Sequence, residues 1–218
     1  MRKKIFQSNS RKTRKGFTLI ELLTVIAILG ILATILMAVA GNVIEKGRSV
    51  QCLSNLRQFG VAMHMYADEN GGFLPSSSHH READGTSLSW TETLKIYLGD
   101  DFIGRCPSVP DHPAKITYAI NDLLTNPENG AGIPMTDCAD PALTLLVGET
   151  ARNQSAEHFH FRGAPRGRVS PAMFRSSVHV ECHGSGANYL FVDAHVERLA
   201  WTEVQQRLHE SDQYFLHP

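Results

Sequence analysis

From Leu22 to Ile44 the chain carries 23 consecutive residues without a charged side chain. A helix crosses a bilayer core in about 20 residues, so this run is long enough to span one. The segment before it has the opposite character. Residues 1–16 hold Arg2, Lys3, Lys4, Arg11, Lys12, Arg14 and Lys15, with no Asp or Glu. Basic residues beside an apolar helix keep that end on the cytoplasmic side, which directs the rest of the chain outward. An ordinary secretory signal is cut beyond its apolar core, and that core is shorter. Here the small residue Gly16 precedes the apolar run and is followed by Phe17. A cut at Gly16 would keep the helix as an anchor. The plain alternative is an uncleaved signal anchor. Glu21 is a lone carboxylate at the entry to the run. Such a group is costly in a membrane helix unless paired, and it is read first as functional. The bland reading has it reaching out to the lipid headgroups.

The stretch Arg14-Lys15-Gly16-Phe17-Thr18-Leu19-Ile20-Glu21 resembles the class III signal of type IV prepilins and pseudopilins. The resemblance implies a membrane aspartyl peptidase that cuts between Gly16 and Phe17 and methylates the new amino terminus of Phe17. It also implies that Glu21, fifth in the processed chain, meets the Phe17 amine within or between subunits and helps select register during assembly.

Without its first 16 residues the chain has 202 residues, and about 170 of them follow the apolar run, enough for one compact domain. The whole chain has a formal charge of −1; removing the seven basic leader residues leaves −8. An acidic exported part argues against general nucleic-acid binding. Arg162, Arg166, Arg168 and Arg175 form one local basic group, read as solvated surface. The four cysteines, Cys52, Cys106, Cys138 and Cys182, allow up to two disulfides in an oxidising compartment, with three connectivities open. No Cys-x-x-Cys pair is present, which argues against a zinc ribbon or a thioredoxin-like site.

Beyond the apolar run, Leu53, Leu56, Gly60, Met63 and Tyr66/Ala67 recur at spacings of three and four, predicting an amphipathic continuation of the helix. Asn70-Gly71-Gly72 should stop it. The pattern then predicts a loop over 73–85, a short helix over 91–98, and strands over 115–120 and 143–147. A polar excursion covers 154–171, with His158 and His160 on a solvated face. Strands are expected over 177–182, 188–192 and 195–199, the last two joined at Asp193-Ala194, and a terminal helix over 201–209. The fold class is α+β, pilin-like: a long N-terminal helix, membrane-spanning in its first half, laid on a small antiparallel sheet. Its segments are a basic leader (1–16), a transmembrane or filament-core helix (17–44), its amphipathic continuation (45–70) and an exported α+β domain (71–218).

Later elements extend the resemblance over most of the chain. Cys52-Leu53-Ser54-Asn55-Leu56-Arg57-Gln58, followed by Tyr66, Asn70, Gly71 and Pro75, is similar to a large bacterial branch of pilin-like proteins. So are Arg105-Cys106-Pro107-Ser108, Tyr118-Ala119-Ile120-Asn121 and Leu146-Val147-Gly148-Glu149. That branch ends in a His, nine residues, then Asp-Gly. Here His183 and Asp193 keep the spacing, and Ala194 replaces the Gly. A turn with positive φ prefers Gly, so either the turn type changes or the turn is mildly strained. Membership of Cys52 and Cys106 in these segments favours their pairing as a disulfide.

Eleven histidines raise the question of metal. His183, Asp193 and His195 are candidate ligands of a divalent ion, with His179 and Glu181 nearby in sequence. The plainer alternative has Asp193 capping the hairpin turn and His183 bonding hairpin backbone. There is no Gly-x-Ser-x-Gly elbow and no phosphate-binding glycine loop. The sequence therefore points away from an enzyme and toward a structural subunit of a type IV pilus-like or type II secretion filament, with no resident cofactor. The expected partners are a prepilin peptidase/methyltransferase, other pilin-like subunits, and an inner-membrane platform with a separate cytoplasmic ATPase. The expected location is the inner membrane with an exported C-terminal domain, then a periplasmic or extracellular filament. A competing class is a membrane-tethered exported binding or metal-dependent enzyme domain that uses the same signal.

Overall fold

A computed structural model describes residues 16–77, 89–99, 104–125, 132–161, 163–164, 168–210 and 215–218. Residues 1–15, His79, His80, Arg162 and Arg166 fall outside the described residues. The chain divides into two compact units, one ending at Val43 and one formed by Ile44–Pro218.

Helix α1 runs from Leu19 to Glu69. In the first unit its apolar side chains are exposed: Leu22, Ile26, Leu29 and Leu32 are each more than half accessible. The helix is long and apolar enough to cross a membrane. Thr34 returns its hydroxyl proton to the Gly30 carbonyl at 2.6 Å, so this polar side chain is satisfied within the helix.

All buried α1 residues lie in the second unit, from Cys52 to Ala67. The buried stripe is wider than the sequence pattern suggested: Cys52, Asn55 and Phe59 join Leu56, Gly60, Met63 and Ala67, while Leu53 and Tyr66 are half-buried. Gly71 and Gly72, at φ +64° and +87°, turn the chain off the helix. The Gly72 amide donates to the Ala67 carbonyl at 2.8 Å, closing the last turn.

Two single-turn helices follow, α2 (Trp90–Thr93) and α3 (Lys95–Leu98), where one short helix was expected. Ser89 caps α2 through its side chain. The sheet is built from β1 (Tyr118–Ile120), β2 (Leu145–Glu149), β3 (Gly186–Phe191) and β4 (Val196–Ala200), in that spatial order and antiparallel throughout. Every residue of β1, β2 and β3 is buried, so both faces of the sheet are covered. Alternation along β3 divides the covering. Leu190 faces α1, where a Cβ on Gly60 would come within 2.9 Å of its Cδ1. Tyr189 faces the other way, beside Phe174 at 6.4 Å between ring centroids.

Two expectations are corrected. The segment 177–182 is not a strand. Helix α4 (Pro171–Ser177) occupies its start, and only Val178 bridges to Thr150. Ser170 caps α4 by accepting from the Met173 amide, and Pro171 sits at its first turn, a helix-start signal present in the sequence. The excursion around His158 is solvated only in part: His160 is exposed as expected, but its neighbours are not. Phe159 and Phe161 are fully buried, and His158 is buried and bridges to Ile120. Helix α5 (Trp201–Glu210) closes the chain's last long element.

Candidate functional site

Two places gather most of the residues singled out by sequence. The first is the start of α1. Gly16 and Phe17 precede the helix, and Phe17 is exposed. The Thr18 amide donates to Glu21 Oε2 at 2.8 Å, and the Glu21 amide donates to Thr18 Oγ1 at 3.3 Å. This is a reciprocal capping box, which satisfies two amides that a helix start leaves unpaired. The Thr18-x-x-Glu21 spacing is the sequence signature of such a box. Glu21 thus has a local partner in the single chain: its carboxylate accepts from the amide of the Phe17–Thr18 peptide bond.

The second place lies between α1 and the helix-facing side of the sheet. There the separate sequence elements converge. Cys52 of α1 and Cys106 form a disulfide with Cα atoms 5.3 Å apart, a usual span for such a bond. Asn55, one helical turn on, donates to the Tyr118 hydroxyl at 3.2 Å. The Cys106 amide donates to Thr117 Oγ1 at 2.6 Å. His183 Nε2 meets Glu149 Oε1 at 2.7 Å, and both side chains are 1% exposed. On its other side His183 Nδ1 lies 3.3 Å from Glu45 Oε1 and 3.2 Å from Ser108 Oγ. Ser108 donates to the same Glu45 oxygen at 2.6 Å. The Asn188 amide donates to Glu149 Oε2 at 3.4 Å.

Burial alone would keep His183 neutral, but the bonds to Glu149 and Glu45 outweigh it and raise its pKa. Burial likewise pushes Glu45 up, and the bonds from Ser108 and His183 outweigh it and leave its pKa lowered. Cys182, a free thiol with Sγ 3.8 Å from Cys106 Sγ, is held strongly protonated by burial and by the nearby Glu149 carboxylate. Cys138 is also free and buried, and burial raises its thiol to about 11.

The ligand atoms of Cys52, Cys106, Glu149 and His183 all lie within 4.8 Å of one another, in a buried group whose residue types can hold a metal ion. Of the three ligands proposed from sequence, only His183 belongs to it. Asp193 and His195 pair with each other at 2.5 Å in the β3–β4 turn, both exposed, and His195 stacks on Phe191. Asp193 Oδ1 also accepts from the His195 amide, so it caps that turn. His183 does not spend its side chain on hairpin backbone; only its backbone amide does, donating to the Gly186 carbonyl at 2.9 Å. Glu149 and Ser108 each end a recognised segment without a role in the sequence reading, and Glu45 is one of the polar positions of the helical continuation. His183 is 138 residues from Glu45 and 75 from Ser108 along the chain, a distance no local pattern bridges.

Comparison with known proteins now bears on both places. Residues 11–37 match the model of the prokaryotic N-terminal methylation motif. Residues 43–101 match a family described as a protein of unknown function (DUF1559). A type II secretion system core protein G of Klebsiella michiganensis is 31% identical over 101 residues, covering 46% of this chain and 70% of that protein. The chain belongs to the family of type II secretion system core protein G. A second member, from Pectobacterium carotovorum subsp. carotovorum, is 32% identical over 98 residues, 44% of this chain and 62% of that protein. No solved structure matches the chain. Membership makes this core protein G relative a pilin-like structural subunit with a membrane-spanning N-terminal helix and a methylation motif. Both named relatives are core proteins of a secretion system rather than enzymes, in keeping with a non-catalytic role.

Proposed function

We propose that the chain is a prepilin-type filament subunit, cut between Gly16 and Phe17 and methylated on Phe17. It is inserted with residues 1–16 in the cytoplasm and residues 71–218 exported, anchored by 17–44, with 45–70 continuing the helix. Assembly then moves the apolar helix from lipid into a filament core formed by helices of other subunits. The observation that carries this reading is the exposed apolar surface of α1, which begins inside the methylation motif and continues past it. In the single chain those side chains have no protein partner inside the unit that ends at Val43, which suits a helix covered by lipid or by neighbours.

Glu21 has two successive partners in this scheme. In the monomer it closes the capping box with Thr18; in the filament it meets the methylated amine of a neighbouring Phe17. The named relatives favour a type II secretion pseudopilus over a type IV pilus. The machinery would comprise a prepilin peptidase/methyltransferase, an inner-membrane platform, and a cytoplasmic ATPase supplied by another chain. The test is overexpression with that platform, followed by shearing and sedimentation. Wild-type chain should appear in sheared filaments, and Glu21→Ala should remain in the membrane fraction. Equal amounts of both in the filament fraction would sink the role given to Glu21.

The buried Cys52/Cys106/Glu149/His183 group is the one observation that favours a metal-binding domain instead. It does not favour an enzyme. With His183 and Glu149 each 1% exposed, no substrate reaches them.

A further inference from the structure

We propose that the thiol form of Cys52 and Cys106, with His183 Nε2 and a Glu149 carboxylate oxygen, is a four-donor site for zinc(II), and that the Cys52–Cys106 disulfide is its alternative. Zinc favours this donor set: two thiolates, an imidazole and a carboxylate in a closed tetrahedral shell. Four different parts of the fold supply the donors: α1, the segment before β1, the end of β2 and the segment before β3. At zinc–ligand distances of about 2.0–2.3 Å, neighbouring ligands of a tetrahedron sit roughly 3.3–3.8 Å apart. Cys106 Sγ and His183 Nε2 are already 3.6 Å apart. The His183–Glu149 contact of 2.7 Å has to open by a fraction of an ångström, which the ion's charge would drive.

The surroundings of the donors are those of a metal site. A ligating histidine usually bonds a carboxylate or carbonyl through its second nitrogen, which fixes its tautomer and orientation. His183 presents Nε2 to the cluster while Nδ1 faces Glu45 and Ser108. Glu149 has its second oxygen held by the Asn188 amide. Cys106 is anchored by its amide on Thr117. All four donor residues are buried.

The two states exclude each other by electron count. Zinc capture needs both sulfurs as thiolates, so two thiols bind one zinc(II) and release two protons. The newly made chain has its cysteines as thiols. Disulfide formation removes two electrons and two protons, passed by thiol–disulfide exchange to an external disulfide, which leaves as a dithiol. The disulfide has no thiolate to offer, leaving only His183 and Glu149. Zinc would therefore hold α1 to the domain before oxidation and shield both sulfurs from mispairing with Cys182, 3.8 Å from Cys106.

The test uses the full chain in detergent, reduced with a phosphine and then titrated with cobalt(II) as a spectroscopic stand-in, and with zinc. The reduced chain should take up one equivalent of cobalt, with sulfur-to-metal charge-transfer absorption and intense tetrahedral d–d bands. The disulfide form should show neither. Zinc should slow alkylation of Cys52 and Cys106 by about tenfold or more, mapped by peptide mass, and leave Cys138 unaffected. His183→Ala should weaken uptake by about tenfold or more, on the scale by which metal sites respond to lost support. His195→Ala, in the exposed turn, should leave it unchanged and reports on any general folding artefact. A folded, reduced chain that takes up no metal overturns the proposal. So does uptake that is equal in the disulfide form, or protection that falls on Cys106 and Cys182 but not Cys52.

Discussion

The two units of this chain use apolar side chains in opposite ways. Up to Val43, leucines and isoleucines are exposed and the helix has no core of its own. From Ile44 onward, α1 buries a stripe against a sheet in which β1, β2 and β3 are wholly buried. The first unit is stable only in a medium that accepts apolar surface, whether lipid or other subunits. The second needs only itself. Substitutions should therefore separate cleanly: those in the first unit change processing and assembly, and those in the second change folding.

The largest effect expected is at the junction. Gly16→Leu should abolish processing and leave the second unit folded; normal cleavage of that variant, read by peptide mass, would refute the assigned cut. In the second unit, Phe59→Ala removes a ring packed 4.8 Å from Trp90 and 5.5 Å from Tyr118. It should cost about 3–5 kcal/mol in denaturant unfolding while cleavage proceeds. His183→Ala leaves Glu149 buried without its cationic partner and should cost about 3 kcal/mol. A loss below about 1 kcal/mol would mean that the pair is not charged in the fold.

Smaller effects sharpen the comparison at Glu21 and at the β3–β4 turn. Thr18→Ala breaks only the capping box, worth about 1 kcal/mol at a helix start. It should fray the amides of residues 18–21 in hydrogen exchange yet leave most assembly intact, in contrast with Glu21→Ala. If the two variants lose assembly equally, capping alone explains Glu21. Ala194 sits at φ +69°, a left-handed conformation that Gly adopts freely. Ala194→Gly should raise the stability of the second unit by roughly 0.5–1 kcal/mol, seen as a higher unfolding midpoint.

These residues also show what a sequence discloses. The apolar run, the Asn70-Gly71-Gly72 stop and the β3–β4 hairpin were legible because each is local: a period, a cap or a turn within a few residues. Helix α4 is equally local, signalled by Ser170-Pro171, although the pattern over 177–182 predicts a strand. The buried cluster was legible only in pieces. Cys52, Cys106, Glu149 and His183 each stood in a recognised segment, yet nothing in any segment says that four of them meet. Contacts across 34 to 138 residues are set by the packing of α1 on the sheet, which exists only in the fold. For the same reason Asp193 and His195, neighbours of His183 in sequence spacing, ended in a surface turn with each other.

The central claim is that the chain enters a filament pathway as a processed subunit. The most direct measurement is the mass of the N-terminal peptide from protein isolated from native membranes. The account predicts a peptide that begins at N-methylated Phe17. An intact Met1 end in the mature pool would contradict it and leave the chain an ordinary signal-anchored protein.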